Sequence, residues 1–166
     1  MRIGSGLDVH AFEPRPAAAE AAQGATVVLA GVRLASHAAL LGHSDADVVA
    51  HAVADALLGA MAAGDLGTRF GVDAPELAGA DSMRLLAEVV DELATAGLAV
   101  TNLDVTVVAA RPRIGDAREA MRANLAAALG VEPGRVSVKA TTTDGLGAVG
   151  RGEGVACWAT CLVVEL

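Results

Sequence analysis

The order in which strand-like and helix-like periodicity alternates along the chain limits its fold more than any other feature. Arg2 to His10 reads as a strand, and Thr26 to Leu34, broken at Ala30-Gly31, reads as a short hairpin. Ser44 and Asp45 can cap a helix from about Ala46 to Ala62, with an apolar stripe of Val49, Val53, Ala56, Leu57 and Ala60 and a stop at Gly64. A second helix starts near Asp81-Ser82, repeats Leu85, Leu86, Val89, Val90 and Leu93 at helical spacing, and stops at Gly97. Leu98 to Ala110 follows as a long strand. Gly115-Asp116 opens a third helix carrying Met121, Leu125 and Leu129, which Gly130 terminates. Pro133-Gly134 turns the chain into a strand from Arg135 to Ala140, and Gly154 to Glu165 is the last strand. This order predicts an α+β fold: a mixed four-stranded sheet with helices on one face, plus a small hairpin.

At 166 residues the chain is expected to form a single domain, 1–166, with a substantial core. Hydrophobic residues make up 54% of it, yet no apolar run approaches the roughly 20 residues of a membrane-spanning helix. So much apolar surface on a small body predicts further burial between subunits, and hence a homo-oligomer. Trp158, Phe12 and Phe70 are the whole aromatic set, so the core must be built from Ala, Val and Leu. A net charge of -8 without a long Lys/Arg cluster argues against a nucleic-acid partner or an anionic-membrane anchor. A phosphate-bearing substrate would therefore need local donors or metals. Met1-Arg2-Ile3-Gly4 leads straight into strand-like sequence, which predicts a cytoplasmic location. Cys157 and Cys161 lie four apart in a strand, about 13 Å and beyond disulfide reach, and are expected to be reduced packing residues. Pro14 to Gly24 has the composition of an exposed insertion and is expected to be the most mobile stretch.

Two segments carry candidate metal chemistry. Asp8 and His10, at i and i+2, project from the same face of a strand, although such a pair alone is more often a surface hydrogen bond. His43 and Ser44 sit at a helix start, and Asp47, His51 and Asp55 follow at i, i+4 and i+8 on one stripe opposite the apolar one. Taken alone, that stripe reads equally well as a solvated face. Three of the four histidines fall in these two segments, His37 lying between them. Asp8, His10 and His51 would offer zinc three N/O ligands and leave one tetrahedral position open, as catalytic sites do.

Two later segments bear on phosphate. Lys139-Ala140-Thr141-Thr142-Thr143-Asp144-Gly145 runs from a strand end into a turn and presents hydroxyls, N–H groups and a carboxylate together. A phosphate site fits there, as does an ordinary Thr-rich strand edge. Gly147, Gly150, Gly152 and Gly154 surround Arg151 and Glu153 without matching a nucleotide-binding fingerprint, and read as a hairpin loop.

Together these segments resemble the 2-C-methyl-D-erythritol 2,4-cyclodiphosphate synthase family over nearly the whole chain. The carriers are Arg2 to Phe12, Leu41 to Val48 with His51, Asp55 to Gly59, Gly64 to Gly67, Gly79 to Ser82, Lys139 to Thr143 and Gly150 to Gly154. The resemblance implies a homotrimer with its sheets packed around the threefold axis and its active sites between neighbouring subunits. It implies one Zn2+ per subunit on Asp8, His10 and His51, and a second divalent cation, Mg2+ or Mn2+. The implied substrate is 4-diphosphocytidyl-2-C-methyl-D-erythritol 2-phosphate, whose 2-phosphate attacks the β-phosphorus as CMP leaves. His43 and Thr142 match positions that orient phosphate and stabilise the transition state, and Ser44 matches a phosphate contact at a helix N-terminus. Asp65, Leu66 and Gly67 match a loop near the erythritol portion. Ala109 to Gly115, which includes Arg113, matches with Thr141 the cytidine pocket of the adjoining subunit. Thr143 falls within the same substrate-binding run.

The chain departs from the family in three places. It reads Phe70-Gly71-Val72-Asp73-Ala74-Pro75 where the family commonly reads Phe-Pro-Asp-Thr-Asp-Pro, which bears on the substrate contacts of Phe70 and Asp73. Asp144 stands where a Glu usually binds the second divalent ion and reaches one methylene less far. Ala148 replaces a usual Phe beside the trimer axis, where Arg151 and Glu153 are expected to line a channel. Two other readings remain: a non-catalytic trimeric metal-binding module, and a metal-dependent phosphoesterase that activates water beside the same donors.

Overall fold

The computed structural model describes residues 1–14, 24–71 and 79–166. Strand β1 is Arg2–Ala11, and β2 (Thr26–Leu29) and β3 (Val32–Ala35) pair as an antiparallel hairpin. Helices α1 (Val48–Met61), α2 (Leu66–Phe70) and α3 (Ser82–Thr95) precede β4 (Leu98–Val108). Then come α4 (Arg118–Leu129), β5 (Val136–Thr141), a single helical turn α5 (Gly147–Gly150) and β6 (Gly154–Glu165). The four long strands form one sheet in the order β1-β6-β4-β5. Only β4 and β5 run parallel, joined by the crossover through α4 that a parallel pair requires. The sheet is the mixed one expected from the order of elements, with the small hairpin apart from it.

Alternation decides which face is core. Val155, Cys157, Ala159, Cys161 and Val163 of β6 and Val105 and Val107 of β4 are buried, and α1 packs over β1 and β6 while α4 packs on β5. Cys157 and Cys161 are free thiols in this core. On β1 the inward positions are Gly4 and Gly6, followed by Asp8 and His10. A Cβ on Gly4 would stand 1.7 Å from the Ala56 carbonyl oxygen, so β1 lies directly on the backbone of α1. Ala52, Ala56 and Ala60, at successive turns of α1, leave room for that approach. The alanine-rich composition is thus what lets a strand and a helix touch, and the next inward pair on the strand then meets the helix's polar side chains.

Four local expectations differ from what forms. Helix α1 begins at Val48 with Asp47 as its cap, because Ala46 is in the left-handed region at φ 55° and ends any earlier helical run. Asp47 is no member of a solvated stripe: it is fully buried and accepts N–H groups from Val49, Ala50, Ala30 and Gly31. It thereby ties the hairpin turn to the helix start, and the N–H groups expected to favour phosphate beside Ser44 are taken by the chain's own carboxylate. The glycine-rich segment holds the helical turn α5 rather than a plain hairpin loop, and α2 forms after Asp65, whose carboxylate caps it at Thr68 N. Of the expected insertion, residues 15–23 lie outside the described residues, as does Asp73.

Candidate metal centre and substrate cavity

The close contact of β1 with α1 brings Asp8 and His10 to the first turn of the helix, where His51 stands. Asp8 Oδ2 lies 3.0 Å from His10 Nε2 and 3.0 Å from His51 Nδ1, and the two nitrogens are 3.2 Å apart. A tetrahedral zinc with bonds of about 2.0–2.1 Å separates its ligand atoms by about 3.3 Å, so the three atoms already stand at the spacing of three corners of such a site. Among the described residues they are the group of metal-ligating side chains that converges in this way.

The outer ring nitrogens explain why these three atoms face one another. His10 Nδ1 lies 2.5 Å from the Leu41 carbonyl oxygen, to which only an N–H can donate, so its Nε2 carries a lone pair in the neutral ring. His51 Nε2 lies against two hydroxyls, 2.9 Å from Ser82 Oγ and 3.2 Å from Ser44 Oγ. Three electron-rich atoms aimed at one point repel unless a cation or protons sit among them. The hydrogen bond that a protonated His10 ring donates to Asp8 holds His10 above its ordinary value of 6.5, against the opposing effect of burial. Burial works to raise Asp8, but His10 and His51, when their rings carry a proton toward it, outweigh that effect and hold the carboxyl far below the carboxylate range.

The triangle opens into a cavity of about 550 Å³, a size suited to a small ligand. Of the residues expected from the sequence, Asp8, His10, His43, Ser44, His51, Asp65, Leu66, Gly67 and Phe70 all line it. Asp55, one turn beyond His51, lines it too and accepts the Leu66 N–H, which fixes the start of the Asp65–Gly67 segment against α1. Burial raises the Asp55 carboxyl above its usual range. Asp55 belongs to the polar stripe read from the sequence, at i+4 from His51, though it was not among the expected substrate contacts. Ser82, whose contact with His51 spans 31 positions, left no such signal.

The remaining expected residues form a second group. Thr141 ends β5, and Thr142 to Asp144 turn away from it, with Asp144 N donating to Thr142 Oγ1. The register row Thr141, Val108, Ala156, Val9 crosses the sheet, so Thr141 is three strands, about 14 Å, from the strand of Asp8 and His10. Paired residues point to the same side, and Val9 is exposed on the face away from the helices, opposite Asp8 and His10. Ala109 N donates to Thr141 O at the mouth of that edge. Arg113 lines a separate cavity with His37, Ala110 and Arg111, and Arg151 is exposed in a two-point ion pair with Glu153. Among the described residues, the cavity of the triangle is lined by none of this second group.

The YgbB family model matches residues 1–164. The chain is 51% identical over 163 residues to the 2-C-methyl-D-erythritol 2,4-cyclodiphosphate synthase of Marinobacter nauticus, covering 98% of this chain and 97% of that protein. The bifunctional IspDF of Campylobacter jejuni superposes with a TM-score of 0.89 at 35% identity over 99% of this chain, which spans 42% of that longer protein. The CDP complex of Plasmodium falciparum IspF superposes with a TM-score of 0.82 at 28% identity, covering 99% of this chain and 96% of that one.

Proposed function

The chain belongs to the YgbB family, and from that premise we propose that it converts 4-diphosphocytidyl-2-C-methyl-D-erythritol 2-phosphate into 2-C-methyl-D-erythritol 2,4-cyclodiphosphate and CMP, a step of non-mevalonate isoprenoid synthesis. The observation that carries this reading is the Asp8–His10–His51 triangle opening into a cavity lined by His43, Ser44 and Asp65–Gly67. The reaction is a lyase step: an oxygen of the 2-phosphate forms a bond to the β-phosphorus, the bond from that phosphorus to the CMP oxygen breaks, and no water is consumed. The nucleophile is an anion within the substrate, so the protein must supply alignment and charge neutralisation rather than a nucleophile of its own.

Asp8, His10 and His51 would hold a zinc ion, and the donor set of one carboxylate and two neutral imidazoles suits it. When bound, zinc polarises a phosphoryl oxygen, and a Mg2+ or Mn2+ ion, with Asp144 as its expected ligand, offsets diphosphate charge. His43 and Ser44, at the cavity wall, orient the phosphates, and Asp65–Gly67, held by Asp55, positions the erythritol. Thr142 stabilises charge on the reacting phosphate, while Thr141, Thr143, Ala109 and Arg113 hold the cytidine portion. Phe70, Asp73 and Arg151 complete the substrate-binding set.

The separation of the two groups of residues supports active sites shared between neighbouring subunits. A chain whose ligands face one side of the sheet and whose Thr141 faces the other can complete a site only with a neighbour's strand edge. Exposed Ile3, Leu7, Val9 and Trp158 form an apolar patch on the helix-free face, the surface that a homotrimer with its sheets around a threefold axis would bury. Residues 1–166 act as one domain of that trimer. No helix among the described residues is long and apolar enough to cross a membrane. A cytoplasmic location and small-molecule partners belong to the same proposal.

Incubation with the cytidine diphosphate substrate and Mg2+ or Mn2+, followed by mass spectrometry, tests the reading. Release of CMP with a cyclic diphosphate is expected. A linear diphosphate would favour the phosphoesterase, and unchanged substrate the non-catalytic module.

A further inference from the structure

His51 reaches the metal triangle with Nδ1 while its Nε2 is 2.9 Å from Ser82 Oγ, and Ser82 Oγ is in turn 2.5 Å from Asp45 Oδ1. Proton bookkeeping along this row has one solution. A carboxylate only accepts, so the Ser82 hydroxyl proton goes to Asp45. The Ser82 oxygen then has only lone pairs left for His51, which must donate Nε2–H. His51 is thereby held in the tautomer whose Nδ1 lone pair points at Asp8 and His10. Ser44 Oγ, 3.0 Å from Ser82 Oγ, supplies a hydrogen bond to the second lone pair, so every group in the row is satisfied.

The geometry points to Ser82 and Asp45 as positioning residues for the metal centre: a carboxylate–hydroxyl–imidazole row that sets the tautomer and rotamer of His51. The inference rests on Asp8, His10 and His51 being metal ligands. Three features favour it over a plain helix-start contact. Ser82 is 1% exposed and, with Asp47, one of the two buried polar residues among those described. Its helix is already capped by Asp81, which accepts Met83 N, so the Ser82 hydroxyl is not needed for that purpose. Asp45 is fixed from several directions: Oδ1 also accepts Ser82 N and Asp47 N, and Asp45 N donates to Ala80 O. The row also has a consequence for Ser44. Because Ser82 already engages His51, Ser44 can turn its hydroxyl to a phosphate without releasing the ligand.

Partners that orient a ligating histidine are worth about 10- to 100-fold in metal affinity. Chelator competition on the purified protein should give Ser82→Ala and Asp45→Ala a zinc affinity lower by about that factor, with the far-ultraviolet dichroism of the metal-free protein unchanged. Ser82→Thr, which keeps the hydroxyl, should recover most of the affinity, and cobalt(II) bound to Ser82→Ala should show an altered visible spectrum. Wild-type zinc affinity in both alanine variants would overturn the inference. So would variants that lose metal-free stability alone, with affinity and cobalt spectrum intact. A wild-type protein that binds no zinc at all would instead sink the metal centre itself, before any variant is compared.

Discussion

Gly6 on β1 lies so close to Ala52 on α1 that a Cβ added to it would stand 2.1 Å from the Ala52 carbonyl oxygen. Contact of this kind cannot be relieved by a rotamer change, because the obstacle is helix backbone. It sets the distance between the strand that carries Asp8 and His10 and the helix that carries His51.

Gly6→Ala should therefore cost about 3 kcal/mol of stability and also loosen the metal triangle. Urea denaturation and zinc stoichiometry on the same preparation separate the two effects. A folded variant with full zinc would show that β1 and α1 can move apart without disturbing the ligands.

His51→Ala removes one corner of the triangle and should abolish stable zinc binding, whereas His43→Ala should retain zinc and slow turnover by about 10²- to 10³-fold, as loss of a group that stabilises transition-state charge does. Elemental analysis beside steady-state assays reads both. Full metal in the His51 variant would refute the ligand assignment.

The raised His10 and lowered Asp8 values give opposite pH trends with and without metal. In the metal-free protein the His10 contribution is complete below its unfolded value of 6.5 and fades as pH rises through the higher folded value. That of Asp8 persists throughout this range, since it is lost only as pH falls through its depressed folded value. Zinc needs the unprotonated ring, so its stabilising effect grows over the interval in which the metal-free protein weakens. Thermal melts between about pH 6 and about pH 8 should show the zinc-induced rise in Tm widening with pH. A constant rise would mean that no proton leaves on binding.

Leu7 and Trp158 face each other across the β1–β6 ladder, both exposed, with the indole N–H donating to Ser5 Oγ. A charge there, as in Leu7→Glu, should leave the monomer core intact, since the side chain is exposed, and shift the protein from the proposed trimer to monomer in analytical ultracentrifugation. Turnover should fall with the trimer while zinc remains bound. An active monomer would contradict shared sites.

The elements were legible from the chain because each is written in local periodicity: the span Gly154–Glu165 was read to the residue, and the three long helices to within two or three positions at each end. The candidate ligands Asp8, His10 and His51 were legible for the same reason, since i and i+2 on a strand share a face and i and i+4 on a helix share a stripe. Asp47 was misplaced by that logic. It lies at helical spacing from His51, but the left-handed Ala46 puts it before the first turn, where burial and four backbone donors make it a cap.

By itself the sequence determined which side chains could ligate a metal and on which face of which element each would stand, because spacing along a strand or helix converts directly into direction. Tertiary structure alone decided that Asp8 and His10 meet His51, that Ser82 and Asp45 back that histidine, and that Thr141 falls on the opposite face of the sheet. Those outcomes depend on strand order and on how closely glycine and alanine let backbones approach. Both are long-range properties, set by packing between segments that no local repeat connects.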